Sequence, residues 1–552
     1  MTRHHPLLPK LTDQLAAGRC SRRDFLRSAT LLGVSAAAAY GLADRVLGLA
    51  TGGTARAETL PQGGRMRLAM RVQELADPHT YEWSQFNITQ QVCQFLTRTG
   101  QDNITRPLLL ESWTPNEDLT QWTLHLHPDA RWHDGRPFLA DDVVWNLQRI
   151  LDPATGSSGL GLMKSYMLQE VETEGQKSWA LWDANAIEKL DDRSVRLNLK
   201  VPQLAVPEHL FHYTMYMLDP AENGTFGVGS NGTGPFALAG YAVGEQALLE
   251  AVPQPWGPKA HLDELQFLDM GDDPQAALNA LESRQVDGIV QTDVLQLRTL
   301  QDMEHVVLYD ATTASTAVAR MKVDQAPFDD PRVRLAMKLA IDPARVLAVA
   351  HDGLGLPAEH HHVCPIHPAY APLAPMPQDV EKAKALLAEA GHPGGLDLEI
   401  ACRVSPSWEL RAVEDMVAQW ATAGIRVKIN NMPSASYWDV WDKVPFGFTE
   451  WIHRPLETMV LSLAYRSGVP WNESGYANAE FDALLTQAEG TVDVEERRQL
   501  VEQLERILQQ DGPIVQPLWR ARFGAYDQRV KGFVMHPTNC IFAEQLAIEP
   551  AA

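Results

Sequence analysis

The 552 residues contain only five cysteines. Cys93, Cys364, Cys402 and Cys540 lie far apart and Cys20 stands near the start. No CxxC pair occurs, which excludes the usual zinc and dithiol patterns. An oxidising compartment would permit disulfides; the spacing fixes no pairing, and free buried thiols fit equally well. Beyond the first 50 residues there is no apolar run of about 18 residues, so no spanning helix is expected in the body of the chain. Basic residues are scarce too, 47 against 70 acidic ones, giving a net charge of −23. That balance excludes nucleic acid and anionic membrane as partners, but says little about a small ligand, whose site is local. Catalytic signatures are missing as well: there is no GxSxG, no zincin motif and no Cys–His pair in a known context. The glycine-rich run Asn231-Gly232-Thr233-Gly234-Pro235-Phe236 is followed by neither Lys-Ser/Thr nor a helix, so it is not a P-loop. Nothing calls for a cofactor, and the expectation is a protein that is not an enzyme. Internal repeats and low-complexity tracts are absent.

What is present begins with a targeting pattern. Ser21-Arg22-Arg23-Asp24-Phe25-Leu26-Arg27 is a twin-arginine motif, Ala29 to Ala43 is apolar but diluted by Gly33 and Ser35, and Ala55-Arg56-Ala57 offers a cleavage site. That order describes an export signal of residues 1–57. The apolar part is short and rich in small residues for an anchor, and no cysteine follows it at lipobox distance. The expected product is soluble, periplasmic and exported already folded. Loss of the segment removes eight basic and three acidic residues, leaving 39 against 67.

The most informative stretch runs from Glu111 to Pro153. Trp122, Leu124 and Leu126 alternate with Thr123, His125 and His127, as in a half-buried strand. His133-Asp134-Gly135-Arg136-Pro137 makes a turn. Asp141 and Asp142 then open a helix, where acids suit the macrodipole, and Val143, Val144, Leu147, Ile150 and Leu151 give its apolar face. Glu111-Ser112-Trp113, the HDGRPF turn and Asp141-Asp142-Val143 together resemble the signature of the peptide/nickel class of ABC-transporter substrate-binding proteins, family 5. Further matches follow in order: the Gly234-Pro235-Phe236 turn, Pro255-Trp256-Gly257, Leu262 to Phe267, Val286-Asp287-Gly288, and Pro327 to Arg334 with Ala340-Ile341-Asp342.

This resemblance covers essentially the whole chain after the signal. It implies an α/β, two-lobed periplasmic binding protein fold (type II) with a small additional α+β subdomain. The implied division is lobe I at 58–102, 227–318 and 521–552, the subdomain at 103–226, and lobe II at 319–520, joined by hinge strands near Ser315 to Val323 and after Pro513. A ligand would be held between lobes that close on it, then passed to the permease subunits of an ABC importer. A monomer that binds a small molecule or peptide is expected. Independently, Met66 to Val72 reads as a strand, Ile88 to Leu96 and Ala205 to Tyr213 as helical, and Leu396 to Cys402, Trp408 to Ala423 and Ile425 to Ile429 as a βαβ unit.

The candidate site residues come mainly from two stretches of the second lobe. In peptide-binding relatives a Trp followed three residues later by Asp holds the ligand's amine. Here the run is Trp451-Ile452-His453-Arg454-Pro455, with Arg454 in the acid's place. A guanidinium there would repel an ammonium and favour a carboxylate or phosphate. Glu457 could restore cation binding or neutralise Arg454. The run Glu359-His360-His361-His362-Val363-Cys364-Pro365-Ile366-His367 enters the cleft in such relatives. Its His361 and His362 are candidate hydrogen-bonding groups; His360, His361, His362, Cys364 and His367 form a second candidate set, for a nickel-type metal chelate, since imidazoles and thiolates suit such ions. Trp83, the pair Tyr437-Trp438 and the run Trp471-Asn472-Glu473 are further candidates, since such rings stack on sugars, cations and planar ligands. The remaining alternative is an exported enzyme folded around a cofactor.

Overall fold

The computed structural model describes residues 5–47, 60–75, 77–80, 85–173, 176–271 and 273–550. Trp83 and the Ala55–Ala57 cleavage site lie outside the described residues. The chain divides into two compact units. One comprises Met1–Thr292, Arg298–Tyr309 and Gly524–Ala552; the other comprises Asp293–Leu297 and Asp310–Phe523.

In the first unit the early segment forms helices α1 (Leu8–Ala16), α2 (Arg22–Leu31) and α3 (Ala36–Leu47). The apolar stretch is therefore broken between α2 and α3, with Gly33 at φ +84°. Strand β1 (Arg65–Ala69) buries Met66 and Leu68. The expected signature unit follows. Strands β2 (Leu110–Pro115) and β3 (Gln121–Leu126) pair antiparallel. Trp122, Leu124 and Leu126 are buried, while Thr123 and His125 remain partly open. Gly135 takes φ +88° in the turn, and helix α4 (Ala140–Leu151) buries Val143, Leu147, Ile150 and Leu151. Strands β4 (Ile187–Asp191) and β5 (Ser194–Asn198) complete a sheet of order β2–β3–β5–β4. The residues expected to form a subdomain thus build their own sheet within this unit. A second sheet uses β6 (Phe236–Ala242), β7 (Gln246–Ala251), β8 (Glu264–Leu268) and β9 (Gly288–Thr292) in the order β6–β7–β8–β1–β9, with β1 parallel to both neighbours.

Two expectations here were too helical. Helix 86–92 stops where Cys93 takes extended backbone (φ −108°, ψ 117°). Phe95 leaves it to pack against Phe86, Phe211 and Tyr216. Of the 205–213 stretch only Val206–His209 is helical. In both places a dense apolar run serves a tertiary cluster, and apolar density carries no period by itself.

The second unit is built on β10 (Val306–Met321), β11 (Leu396–Arg403), β12 (Ile425–Met432), β13 (Phe446–Trp451) and β14 (Ile514–Asp527), in the order β14–β10–β13–β11–β12. The outer ends of β10 and β14 belong to the first unit. Strands β11 and β12 are parallel from Leu396↔Ile425 to Arg403↔Met432, joined by helix α5 (Ser407–Thr422). That is the expected βαβ unit. Trp408, Val413, Met416 and Trp420 of α5 pack into the core with Phe446, Phe448, Ile400 and Val515. Helix α6 (Val494–Gln510) is amphipathic, burying Val501, Leu504 and Leu508.

All four cysteines past the early segment are free and buried.

Candidate functional site

Strand β13 has two differently dressed faces, because successive side chains of a strand point to opposite sides. On one face Thr449 and Trp451 meet a buried carboxylate, Glu473. Its Oε1 accepts the Trp451 Nε1–H at 3.0 Å. Its Oε2 accepts the Thr449 hydroxyl at 2.7 Å and the Arg320 Nε–H at 3.2 Å. Arg320 also donates to the carbonyls of Val444 and Trp441. Burial raises the Glu473 carboxyl's pKa above its usual range against the pull of Arg320. Tyr437 shares a 2.8 Å hydrogen bond with Thr449. Ring contacts continue outward: Trp451 to Trp471 (6.1 Å), Trp471 to Trp441 (6.4 Å), Trp441 to Trp438 (5.9 Å) and Trp438 to Tyr437 (5.5 Å). Trp438, Trp441 and Trp471 are half-buried, whereas Trp451 and Tyr437 are buried. Trp451, Tyr437-Trp438 and Trp471 were legible in the sequence; Trp441 was not, although its i, i+3 spacing from Trp438 at the end of a short helix was the available signal.

The histidine loop reaches the same face. His362 meets the Trp451 ring edge-on at 5.6 Å, and its Nδ1 lies 2.6 Å from the Tyr465 hydroxyl. His360 and His362 both have left-handed backbone, at φ +62° and +60°, a conformation disfavoured for residues with a Cβ. His360 Nδ1 accepts the Gln516 backbone N–H, and the His362 N–H donates to the Gln516 side-chain oxygen. These bonds hold the loop to β14. His361 Nε2 lies 3.4 Å from Glu359 Oε2. The Nε2 atoms of His360 and His362 are buried without hydrogen-bond partners among the described residues. Burial brings the pKa of His360 down to about 3 and that of His362 well below its usual value, so both imidazoles are neutral at pH 7. His453 accepts the Ala314 N–H through Nδ1 at 3.0 Å, and its own N–H donates to Ser315 Oγ.

The chelate set, Glu457 and Arg454 all find partners within the chain. The residues of the chelate set turn to separate partners: Cys364 Sγ to the Thr313 carbonyl, His367 to the Cys364 N–H and the Arg454 carbonyl, His362 to Tyr465. Among the described residues no three His, Cys, Asp or Glu side chains are placed to hold a metal ion. The steric reason is that consecutive loop residues fan out. Glu457 pairs through Oε1 with buried Arg497 at 2.9 Å. Arg454 is itself buried, with Nη1 donating to the His453 carbonyl.

On the opposite face, Glu450 receives three arginines. Arg403 Nη2 donates to its Oε2 at 3.0 Å; Arg520 Nη1 and Arg522 Nη2 donate to its Oε1 at 2.6 and 3.1 Å. Arg403 also holds Glu409 in a two-pronged pair. Burial alone would raise the Glu450 carboxyl's pKa, but Arg520, Arg522 and Arg403 outweigh it and bring it down to about 2. None of this cluster was named from sequence. Arg520-Ala521-Arg522 in an otherwise apolar strand was the legible hint.

The bacterial extracellular solute-binding protein family 5 model matches residues 105–473. The chain belongs to that family. Among curated relatives it is 26% identical to heme-binding protein A of Haemophilus influenzae over 464 residues, covering 78% of this chain and 82% of that one. It is 24% identical to the dipeptide-binding protein DppE of Bacillus subtilis over 470 residues, covering 82% and 85%. Among solved structures, AgaA of A. tumefaciens R10 in complex with agropinic acid superposes with a TM-score of 0.77 at 23% identity, covering 89% of this chain and 99% of that one. The fold is therefore the mixed α/β, two-lobed fold of periplasmic binding proteins. As a family 5 member the chain keeps the strand-turn-helix signature in unit one, and the faces of β13 lie in unit two. The signature residues are structural: Trp132 donates to Asp142, and Asp142 accepts the Leu139 N–H.

Proposed function

We propose that this chain is the substrate-binding protein of an ABC importer, capturing a small polar solute, peptide-like or otherwise, and delivering it to the membrane permease. Family membership across 105–473 is the observation that carries the reading. The relatives are solute-binding proteins rather than enzymes. Its work is binding, in which a ligand stabilises the conformation for which it has higher affinity.

The residues around Trp451 make the recognition surface in this reading. Trp451, Trp471 and Tyr437 supply ring surface. His361, His362, His453 and Arg454 supply polar groups. The neutral, buried His362 imidazole, whose Nε2 has no hydrogen-bond partner among the described residues, suits a solute that gives and takes hydrogen bonds. The protein acts as a periplasmic monomer, exported by the twin-arginine route and cleaved near Ala57.

Two measurements test this. Thermal-shift screening of the exported protein should find solutes that raise its Tm, and Trp451→Ala should weaken each of them about tenfold, the scale of a stacking contact with a lost hydrogen bond. Full-strength binding by Trp451→Ala would remove this surface from the reading. Arg22→Lys with Arg23→Lys should leave the precursor in the cytoplasm; unchanged export would exclude the twin-arginine route.

A further inference from the structure

The Glu450 cluster is more than a salt bridge. Arg403 ends β11, Glu450 lies near the end of β13, and Arg520 and Arg522 lie on β14. The first two thus stand at the carboxyl ends of neighbouring parallel strands, where open α/β sheets bind their ligands. Around them are Glu409, Asp293 and His351. Asp293 accepts the Ser407 hydroxyl at 3.2 Å, and His351 Nε2 lies 3.4 Å from Arg520 Nε. Ser315 Oγ accepts from Arg522 Nε at 3.2 Å.

The guanidinium groups are held flat. Arg520 lies over the Trp408 ring at 4.0 Å and Arg403 over the Trp438 ring at 5.0 Å. Stacking fixes the plane of a guanidinium fork and leaves its edges to hydrogen-bond. Those edges are not all used. Arg403 spends Nε and Nη2 on Glu409 and Glu450, and Arg520 spends Nε and Nη1 on His351 and Glu450. Among the described residues Arg403 Nη1 and Arg520 Nη2 have no hydrogen-bond partner, and neither is among the solvent-inaccessible atoms left without one. Two oriented, charged donors of one sign are therefore open beside a single shared carboxylate.

We propose that Arg403, Arg520 and Arg522 form the receptor for a carboxylate on the transported solute, which makes that solute an organic acid. This rests on the solute-binding reading and adds its substrate class. The open N–H groups of Arg403 and Arg520 donate to the solute's carboxylate. Glu450 keeps the three guanidiniums together when the site is empty and competes with the solute for them. Trp438, stacked on Arg403 and in ring contact with Trp441, carries the acid site to the half-buried indole surface. The solute is thus an acid with an apolar or ring-bearing body.

The test is a thermal-shift and calorimetric screen of the exported protein with matched free-acid and amide forms of di- and tripeptides and of sugar acids. The expected result is that free acids shift the Tm and their amides do not. Arg520→Gln and Arg403→Gln should each lower the affinity for the acids about tenfold or more, the scale of a charged hydrogen bond. If a glutamine variant does not fold, Glu450→Gln carries the test: without the competing carboxylate, acids should bind more tightly than to the parent. Equal shifts by acid and amide would overturn the proposal while leaving solute binding intact. So would acid preference retained in Arg520→Gln, or no gain in Glu450→Gln. A parent protein that no member of the screen shifts would overturn this proposal and the solute-binding reading together.

Discussion

Single buried charges set the sharpest constraints. Glu473 is the only carboxylate bonded to the Arg320 guanidinium among the described residues, and both are almost wholly buried. Removing one partner of such a pair strands the other. Glu473→Ala should cost about 3–5 kcal/mol in urea unfolding and free the Trp451 indole N–H, visible as a shift in tryptophan emission. A loss under about 1 kcal/mol would mean the pair is solvated. Glu505 gives a pH signature. Burial pushes its carboxyl up to about 9, with Glu359 and Glu457 adding to the effect. Its folded pKa lies above the unfolded value, so the folded state holds a proton that the unfolded state releases. Its contribution is complete below about pH 4.5 and declines as pH rises towards 9. Glu505→Gln, neutral throughout, should therefore gain stability relative to the parent as pH increases across that window. A pH-independent difference would place the Glu505 carboxyl in contact with water.

At the scale of elements, caps and periods explain what could be read from the chain and what could not. Helix α6 starts at Asp493, whose carboxylate accepts the Glu495 and Glu496 N–H groups at 3.0 and 3.3 Å. Asp493→Ala should cost about 1 kcal/mol, measured by thermal unfolding. No loss would show that the first turn is held by packing alone. Elements with one wet face were legible: β3, α4 and α5 all form where the sequence places them. The connecting strands were only half legible. The last nine residues of β10 are all buried, and β14 is buried almost throughout. With both faces covered there is no alternation to read in those parts; the start of β10, expected at Ser315, lies at Val306, in a stretch that is partly exposed. The candidate site divides the same way. Trp451, Tyr437, Trp471 and the histidines stood out as rare residues in suggestive runs. Arg403, Glu409, Glu450, Arg520 and Arg522 are common residues brought together from distant positions, and only the register of β11, β13 and β14 assembles them.

At the scale of the molecule, the early segment is part of the first unit's packing. Helices α1 and α2 bury Leu8, Leu11, Leu15, Phe25, Leu26 and Leu31. The Trp113 indole N–H donates to the Leu31 carbonyl at 2.9 Å, and Arg27 Nε donates to the Asn103 carbonyl at 3.0 Å. His5 reaches the Asn116 carbonyl, and Tyr40 bonds Asp102. Arg22 pairs with Asp44 at 2.7 Å. Trp113 is 3% exposed in this arrangement. Yet Glu111-Ser112-Trp113 belongs to the signature read from the sequence, and β2 is held by its own pairing with β3. Removing residues 1–57 should therefore uncover the Trp113 ring without unfolding the sheet beneath it. Acrylamide quenching tests this by comparing the full chain with the 58–552 protein, each with and without Trp113→Phe to isolate this indole from the other 14 of the 15 tryptophans. The expected result is a Trp113 contribution that is shielded in the full chain and quenched in the shorter protein, with matching circular dichroism. Equal shielding in both would mean that the sheet itself covers Trp113. The early helices would then be passengers on a surface that is complete without them.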